Sequence, residues 1–386
     1  MGELFMANSF RIGVIGFAHM HINHLVERFA AHPQAELAAC ADTPPLVPEL
    51  RTAHYTRGWN LRHALEDLGM PRAFDDYKEM LEQEKLDIVI CCSENAQHPA
   101  VVEACAQKGV HVLVEKPMAS SLRDGLSMAR SARAAGIELI VNWPTTWQPA
   151  SHKAKALVDS GAIGQVLTVK FRGGHLGPLG AGVSHPGGDE GGQALPRKLS
   201  GVERGATWWH QQAAGGGVML DYCCYGSLVA RWLVGEPASA VMGMRANLNS
   251  GWGDAEDNAA MIVRFPHAMA LCEASWTTLD HGVSPGPIVY GTEGTLVVDK
   301  EAPGQAPKVR VERGAGRTEY HECQPLPSDR SDIAQEFIHR LQTGDPLHET
   351  LDLEFNLEVM AILDAGVRSA DSGRTELVDN DAWRLG

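Results

Sequence analysis

Three side chains in this 386-residue chain have the types and spacing to handle a proton and a charge at a hydroxyl-bearing carbon. Lys116 follows the apolar run VHVLVE, so it stands at the end of a strand, the edge at which open parallel sheets present groups to a ligand. An ammonium there can hydrogen-bond a substrate oxygen and stabilise negative charge on it, and partial burial is expected to lower its pKa. Pro117 follows directly, and a cis bond there would aim the lysine. Asp221 and Tyr225 lie four residues apart in GGGVMLDYCCYGSLVARWLVGEP, which reads as a helix from about Gly217 to Leu233. Side chains so spaced share a face, giving a carboxylate to orient a substrate beside a phenol to exchange its proton. The same spacing also fits a capped helix start with Asp221 on backbone groups and Tyr225 in the core.

The elements around these residues predict where they meet. From Phe10 to Asn142, strand-like runs FRIGVIGF, AELAACAD, LDIVICC, VHVLVE and IELIVN alternate with helical stretches. Short all-apolar strands in that alternation predict a parallel sheet covered on both faces, the doubly wound Rossmann dinucleotide-binding fold. The first strand runs into Gly13, Gly16, Ala18 and His21, a reduced form of the glycine fingerprint that lets backbone approach a pyrophosphate, with Phe17, His19 and Met20 on the same turn. Asp42 ends the second strand, where a carboxylate binds ribose hydroxyls and repels a 2′-phosphate. NAD is therefore expected over NADP, although Arg51 and Arg57 stand near enough to serve a phosphate. His19, His21 and His24 have a spacing that suggests a metal, but none is expected, because no carboxylate or thiol lies beside them in sequence.

Past Pro149 the pattern changes. A helix is expected at about Ser151 to Ser160, a strand at about Gly164 to Arg172, and then a Gly-rich stretch from Gly173 to Gly205. Strands AAMIVRF, AMALCEASW, PIVYG and TLVVD without intervening helices predict a large, mostly antiparallel open sheet in an α/β domain, closed by helices DIAQEFIHRL and LEFNLEVMAILDAGVRSA. The expected division is residues 8–146 for the dinucleotide domain and 147–386 for a substrate and oligomerisation domain. A net charge of −15 without a basic block argues against nucleic acid and anionic membranes as partners. No signal-like start or membrane-length apolar run is present, so a cytoplasmic protein with reduced thiols is expected from its eight cysteines, none in a C-x-x-C pattern.

At GVIGFAHMH, SENAQH, EKP, SGAIGQV, GGGVMLDYCCYG and GTEGTLVVD the chain resembles the Gfo/Idh/MocA oxidoreductases, the glucose–fructose oxidoreductase and inositol dehydrogenase family, over nearly its whole length. The resemblance implies a Rossmann domain followed by an α/β domain whose open sheet forms a homodimer or homotetramer interface. It implies reactive roles for Lys116 and Asp221, with Tyr225 where other members carry histidine or tyrosine. Ser93, Asn95 and His98 match the loop beside the nicotinamide ribose, with Glu94 where proline is usual, and Glu115, Lys116 and Pro117 match the family tripeptide. Thr146 stands where many members carry arginine.

A sugar-like substrate is expected to meet flat rings and hydrogen-bonding groups from the Gly-rich stretch and the residues just after it, which offer His175, His185, Asp189, Arg197, Trp208, Trp209 and His210. Of these, Trp209 and His210 are the strongest candidates, with His175 beside them. The leading reading is NAD(P)-dependent hydride transfer at a secondary hydroxyl of a sugar, glycoside or cyclitol. Two alternatives are a redox-neutral elimination of a glycoside through a transient keto sugar, with a loop histidine as extra base, and a non-catalytic NAD-responsive binding protein.

Overall fold

A computed structural model describes residues 9–180, 199–279, 284, 286–299 and 308–381. His185, Asp189 and Arg197 of the Gly-rich stretch lie outside the described residues.

The N-terminal part is a six-stranded parallel sheet. Along the chain come β1 (Phe10–Phe17), α1 (His21–Ala30), β2 (Ala35–Ala41), α2 (Arg57–Glu66), β3 (Ala73–Phe74), α3 (Tyr77–Gln83), β4 (Ile88–Cys92), α4 (His98–Gln107), β5 (His111–Glu115), α5 (Leu122–Ala135) and β6 (Leu139–Asn142). The spatial order β3-β2-β1-β4-β5-β6 reverses direction between β1 and β4, where a doubly wound sheet opens its crevice. Every residue of β4 and β6 is buried, as a strand covered on both faces requires. Helix α1 covers the sheet with Ile22, Leu25, Val26 and Phe29, whose 3–4 residue spacing makes one apolar stripe. The two-residue β3 has no run of alternating residues to announce it in the sequence.

The rest of the chain builds a nine-stranded sheet. Its elements are α6 (Pro149–Asp159), β7 (Val166–Gly174), α7 (Gly201–Gly205), α8 (Cys224–Val234), β8 (Ala240–Ala246), β9 (Asn258–Arg264), β10 (Met269–Ser275), β11 (Ile288–Gly291), β12 (Thr295–Asp299), β13 (Lys308–Glu312), β14 (Thr318–His321), α9 (Ile333–Thr343), α10 (Leu353–Ser372) and β15 (Glu376–Leu377). The order is β14-β13-β12-β11-β7-β10-β9-β8-β15, antiparallel throughout except where β7 meets β10. Strands β8, β13, β14 and β15 were not expected from sequence. They are short or mixed in polarity, and neighbouring strands define them more than their own residues do.

Helices α6, α8 and α10 cover one face of this sheet, and α10 also packs on α5 of the first sheet. Asp364 of α10 accepts a hydrogen bond from the Leu122 backbone N–H at 3.0 Å, and Asn356 accepts one from the Trp143 indole at 2.7 Å. The closing helices therefore fasten the two sheets to each other. On the opposite face Met242, Met244, Ile262 and Met269 stand exposed. Among the described residues no helix is long and apolar enough to cross a membrane, and all eight cysteines are free thiols.

One glycine decides how closely the first turn approaches its neighbour. Gly16 has φ of +87°, and a Cβ added there would lie 2.5 Å from the Ser93 backbone nitrogen. Both the left-handed backbone and the missing side chain are therefore required. Gly16→Ala is expected to lower stability by about 1–3 kcal/mol and weaken NAD binding, measured by urea unfolding and by NADH fluorescence titration.

Candidate active site

The anticipated helix from Gly217 begins instead as a π-turn over Met219–Cys223 and becomes α-helical at Cys224. A wider turn of this kind interrupts regular helical spacing and recurs at functional sites. It carries Asp221, Tyr222 and the following Tyr225 to one cavity of about 370 Å³ at the carboxyl end of β5, with Lys116 on the facing wall. Lys116 Nζ lies 2.5 Å from Asp221 Oδ1 and donates to the Asp221 carbonyl at 3.0 Å. The Trp276 indole donates to the other carboxylate oxygen at 3.1 Å. Asp221 is thereby held by three hydrogen bonds from two side chains.

Burial alone would draw the Lys116 pKa down, as expected from sequence. The Asp221 carboxylate outweighs burial and holds that pKa well above its usual value. Burial likewise opposes ionisation of Asp221, yet Lys116 keeps its pKa below the ordinary carboxylate range. The expectation of a lowered lysine pKa is therefore corrected: Lys116 is a fixed cation, suited to stabilising charge rather than to taking a proton. Its ammonium stands 4.8 Å from the centre of the Tyr225 ring and 5.9 Å from that of Tyr222. Burial pushes the Tyr225 phenol well above its usual pKa, so it is a protonated donor at rest. Trp143 and Phe171 pack on the Tyr225 ring with centroids 5.7 and 6.4 Å away. The Lys116–Pro117 peptide is cis.

The turn after β1 fits a dinucleotide. Gly16, Phe17 and Ala18 bring backbone to the crevice, and Trp208 of the second part of the chain donates its indole N–H to the Ala18 carbonyl at 2.9 Å. Asp42 accepts the Phe17 backbone N–H at 3.1 Å, so the carboxylate expected to meet a ribose is tied to that same turn. Arg57 is fully buried. It pairs with Asp42 at 2.6 Å, Glu49 at 3.1 Å and Glu94 at 2.5 Å. An arginine so committed cannot turn to a 2′-phosphate, and of the two arginines considered from sequence only Arg51 keeps an exposed side chain near Asp42. Burial raises the Asp42 pKa against the pull of Arg57.

Glu94 adopts φ −61° and ψ 147°, the backbone that a proline would impose, so the loop keeps its form while the new side chain reaches Arg57. Asn95 donates to the Gly215 carbonyl at 2.8 Å, and the buried His98 ring lies 3.1 Å from the Met118 carbonyl and 3.3 Å from that of Ser93. These two side chains are engaged in fastening the loop. Burial lowers the His98 pKa and keeps the ring neutral.

Not every anticipated substrate residue reaches the cavity. His175 and Trp209 line it with His19, Met20 and His21. Burial pushes the His175 pKa down to about 4. His210 is fully buried behind the cavity, its ring 5.0 Å from that of Trp276 and 6.2 Å from that of Trp252, and it is not among the lining residues. Thr146 is buried against Thr350, with hydroxyls 2.6 Å apart. Tyr222 and Trp276 were missed from sequence; the two tyrosines following Asp221 were a visible signal for Tyr222, whereas Trp276 is brought in from β10 by tertiary folding alone. The end of β5 places Glu115 beside His19 and His21, a carboxylate that the neighbouring residues of the chain do not supply.

Residues 10–143 match the model of the oxidoreductase family with an NAD-binding Rossmann fold, and residues 151–297 match the GFO/IDH/MocA C-terminal domain. The chain belongs to this family. It binds NAD and is an oxidoreductase. Among its relatives is the myo-inositol 2-dehydrogenase of Thermotoga maritima, 24% identical over 344 residues that cover 87% of this chain and 89% of the relative. The levoglucosan dehydrogenase of Pseudarthrobacter phenanthrenivorans is 24% identical over 75% of this chain and 73% of its own length. The same fold occurs in an aldose-aldose oxidoreductase from Caulobacter crescentus crystallised with glycerol, with TM-score 0.72 and 22% identity over 96% of this chain and all of that one.

The Arg57 cluster makes stability depend on pH. Burial, opposed by Arg57, raises the Glu49 pKa from 4.5 to about 7. Between those values the folded chain keeps a proton that the unfolded chain has lost, so stability falls as pH rises through this window. In Glu49→Gln the change in unfolding free energy between pH 5 and pH 8 is expected to shrink by about 2–3 kcal/mol, read from urea titrations at both pH values.

Proposed function

We propose that this enzyme transfers a hydride between NAD and a secondary hydroxyl carbon of a sugar, glycoside or cyclitol. The observation that carries the reading is the convergence of the Lys116–Asp221 pair with Tyr225 on one cavity at the carboxyl end of β5. Bound NAD supplies the hydride acceptor or donor. The backbone of Gly16, Phe17, Ala18, His19 and Met20 would carry its pyrophosphate, Asp42 the adenosine ribose with Glu94 behind it on Arg57, and Ser93, Asn95, His98, Glu115 and Pro117 the surroundings of its reactive end; Gly13 lies mid-strand in β1 against Leu86 and does not reach the cofactor.

The side chains then divide the work. Lys116 donates to the substrate oxygen and stabilises the negative charge that develops on it. Asp221 keeps the ammonium charged and aimed. On reduction Tyr225 gives its phenol proton to the substrate oxygen as the hydride arrives, the direction its high pKa favours; oxidation is the reverse transfer, from the hydroxyl to a Tyr225 phenolate that has first released its proton to solvent. Trp209 and His175 offer a ring face and a neutral imidazole to a polyhydroxylated ring. His210 has no substrate role in this reading because it lies behind the cavity wall. The redox-neutral elimination is less well supported, since burial leaves His175 a weak base, and the assembled Lys116, Asp221 and Tyr225 argue against a non-catalytic binding role.

The division at residues 146 and 147 fits the two sheets, with α9 and α10 returning to the first. The free thiols favour a cytoplasmic setting. Met242 and Ile262 are paired neighbours on the uncovered face of the second sheet, and this face is suited to a second copy of the chain in a homodimer or homotetramer.

Two measurements test these readings. With a panel of sugars and cyclitols followed at the NADH absorbance band, Lys116→Ala and Tyr225→Phe should each lose at least about 100-fold in kcat, and a wild-type rate in both would overturn the assignment. Ile262→Asp should shift the mass in analytical ultracentrifugation to that of a monomer, with NADH binding retained.

A further inference from the structure

We propose that His19, His21 and Glu115 form a binding site for one divalent transition-metal ion of the zinc class, opening into the cavity that holds Lys116 and Asp221. Two imidazoles and one carboxylate offer ligand atoms that all lie within 4.8 Å of one another. That donor set suits zinc and its first-row neighbours and leaves coordination positions for water or a substrate oxygen. Both histidines line the cavity, so the open side of such a site would face the reacting region.

The outer contacts select the ligand atoms. Asn142 donates to Glu115 Oε2 at 2.8 Å, which turns Oε1 towards His21, whose Nδ1 is 2.9 Å away. The His21 backbone N–H donates to His19 Nδ1 at 3.1 Å, which fixes the orientation of that ring. Such partners commonly hold metal ligands in one tautomer and one orientation. The ring centres of Trp208 and Trp209 lie 6.0 and 5.8 Å from that of His19 and wall that side of the ring with apolar surface. The Glu115 side chain is 1% exposed, and at that depth His21 and Asn142 hold its two oxygens in place. His24, the third histidine of the run, is excluded: its side chain is 41% exposed and faces Glu27 and Arg28.

The test uses the full chain, stripped with a chelator and dialysed against cobalt chloride without nucleotide, and reads metal content together with visible ligand-field absorption. Wild type should retain one equivalent of Co²⁺ with the absorption of a four- or five-coordinate ion, and one equivalent of Zn²⁺ should abolish the colour. His19→Ala and Glu115→Gln should each weaken binding at least 100-fold, Asn142→Ala about tenfold through ligand orientation, and His24→Ala should bind as wild type. Circular dichroism and Tm identify variants that have not folded, and His21→Asn serves as a second ligand variant. Substoichiometric cobalt in wild type overturns the proposal. So does unchanged affinity in folded His19→Ala, or an equal loss in His24→Ala.

Discussion

A buried ammonium and carboxylate 2.5 Å apart join the two halves of the molecule. Lys116 comes from the edge of the parallel sheet and Asp221 from the π-turn above the mixed sheet, so the pair forms only when both sheets are in place. Neither ion would be stable alone at that depth, because removing one partner leaves the other charged and desolvated. The requirement explains why α10 is fastened to both sheets and why Trp276 hydrogen-bonds the far carboxylate oxygen. A fixed cation at the end of β5 is then available to any oxygen entering the cavity.

The cofactor end solves a similar problem with different groups. Arg57 is buried among Asp42, Glu49 and Glu94, with three acids competing for one guanidinium. The excess negative charge is relieved by backbone N–H donors to Asp42 and Glu94 and by a Glu49 that keeps its proton to near neutrality. This arrangement holds Asp42 against the first turn and withdraws Arg57 from any phosphate. It accounts for NAD in terms of a locked carboxylate as well as its mere presence at the end of β2.

Much of this was legible in the residues themselves. Apolar runs of five to eight residues alternating with amphipathic helices specify a parallel sheet, because only strands buried on both faces can be apolar throughout. The tripeptide Glu115-Lys116-Pro117 and the pair Asp221 and Tyr225 were visible as chemistry because their types and spacing have few structural uses together. The weak strands β3, β8 and β15 were not visible, since β3 and β15 are two residues long and β8 is mixed in polarity.

What the sequence determined alone was therefore the fold class, the position of the lysine at a strand end and the family to which the chain is similar. Tertiary structure decided the rest, because burial and charge compensation depend on residues distant in sequence. It raised the Lys116 pKa where local reasoning expected a fall, turned His210 behind the cavity wall and brought Tyr222 forward on a π-turn. It also set Glu115 beside His19 and His21, supplying across the sheet the carboxylate that the neighbouring residues of the chain do not contain.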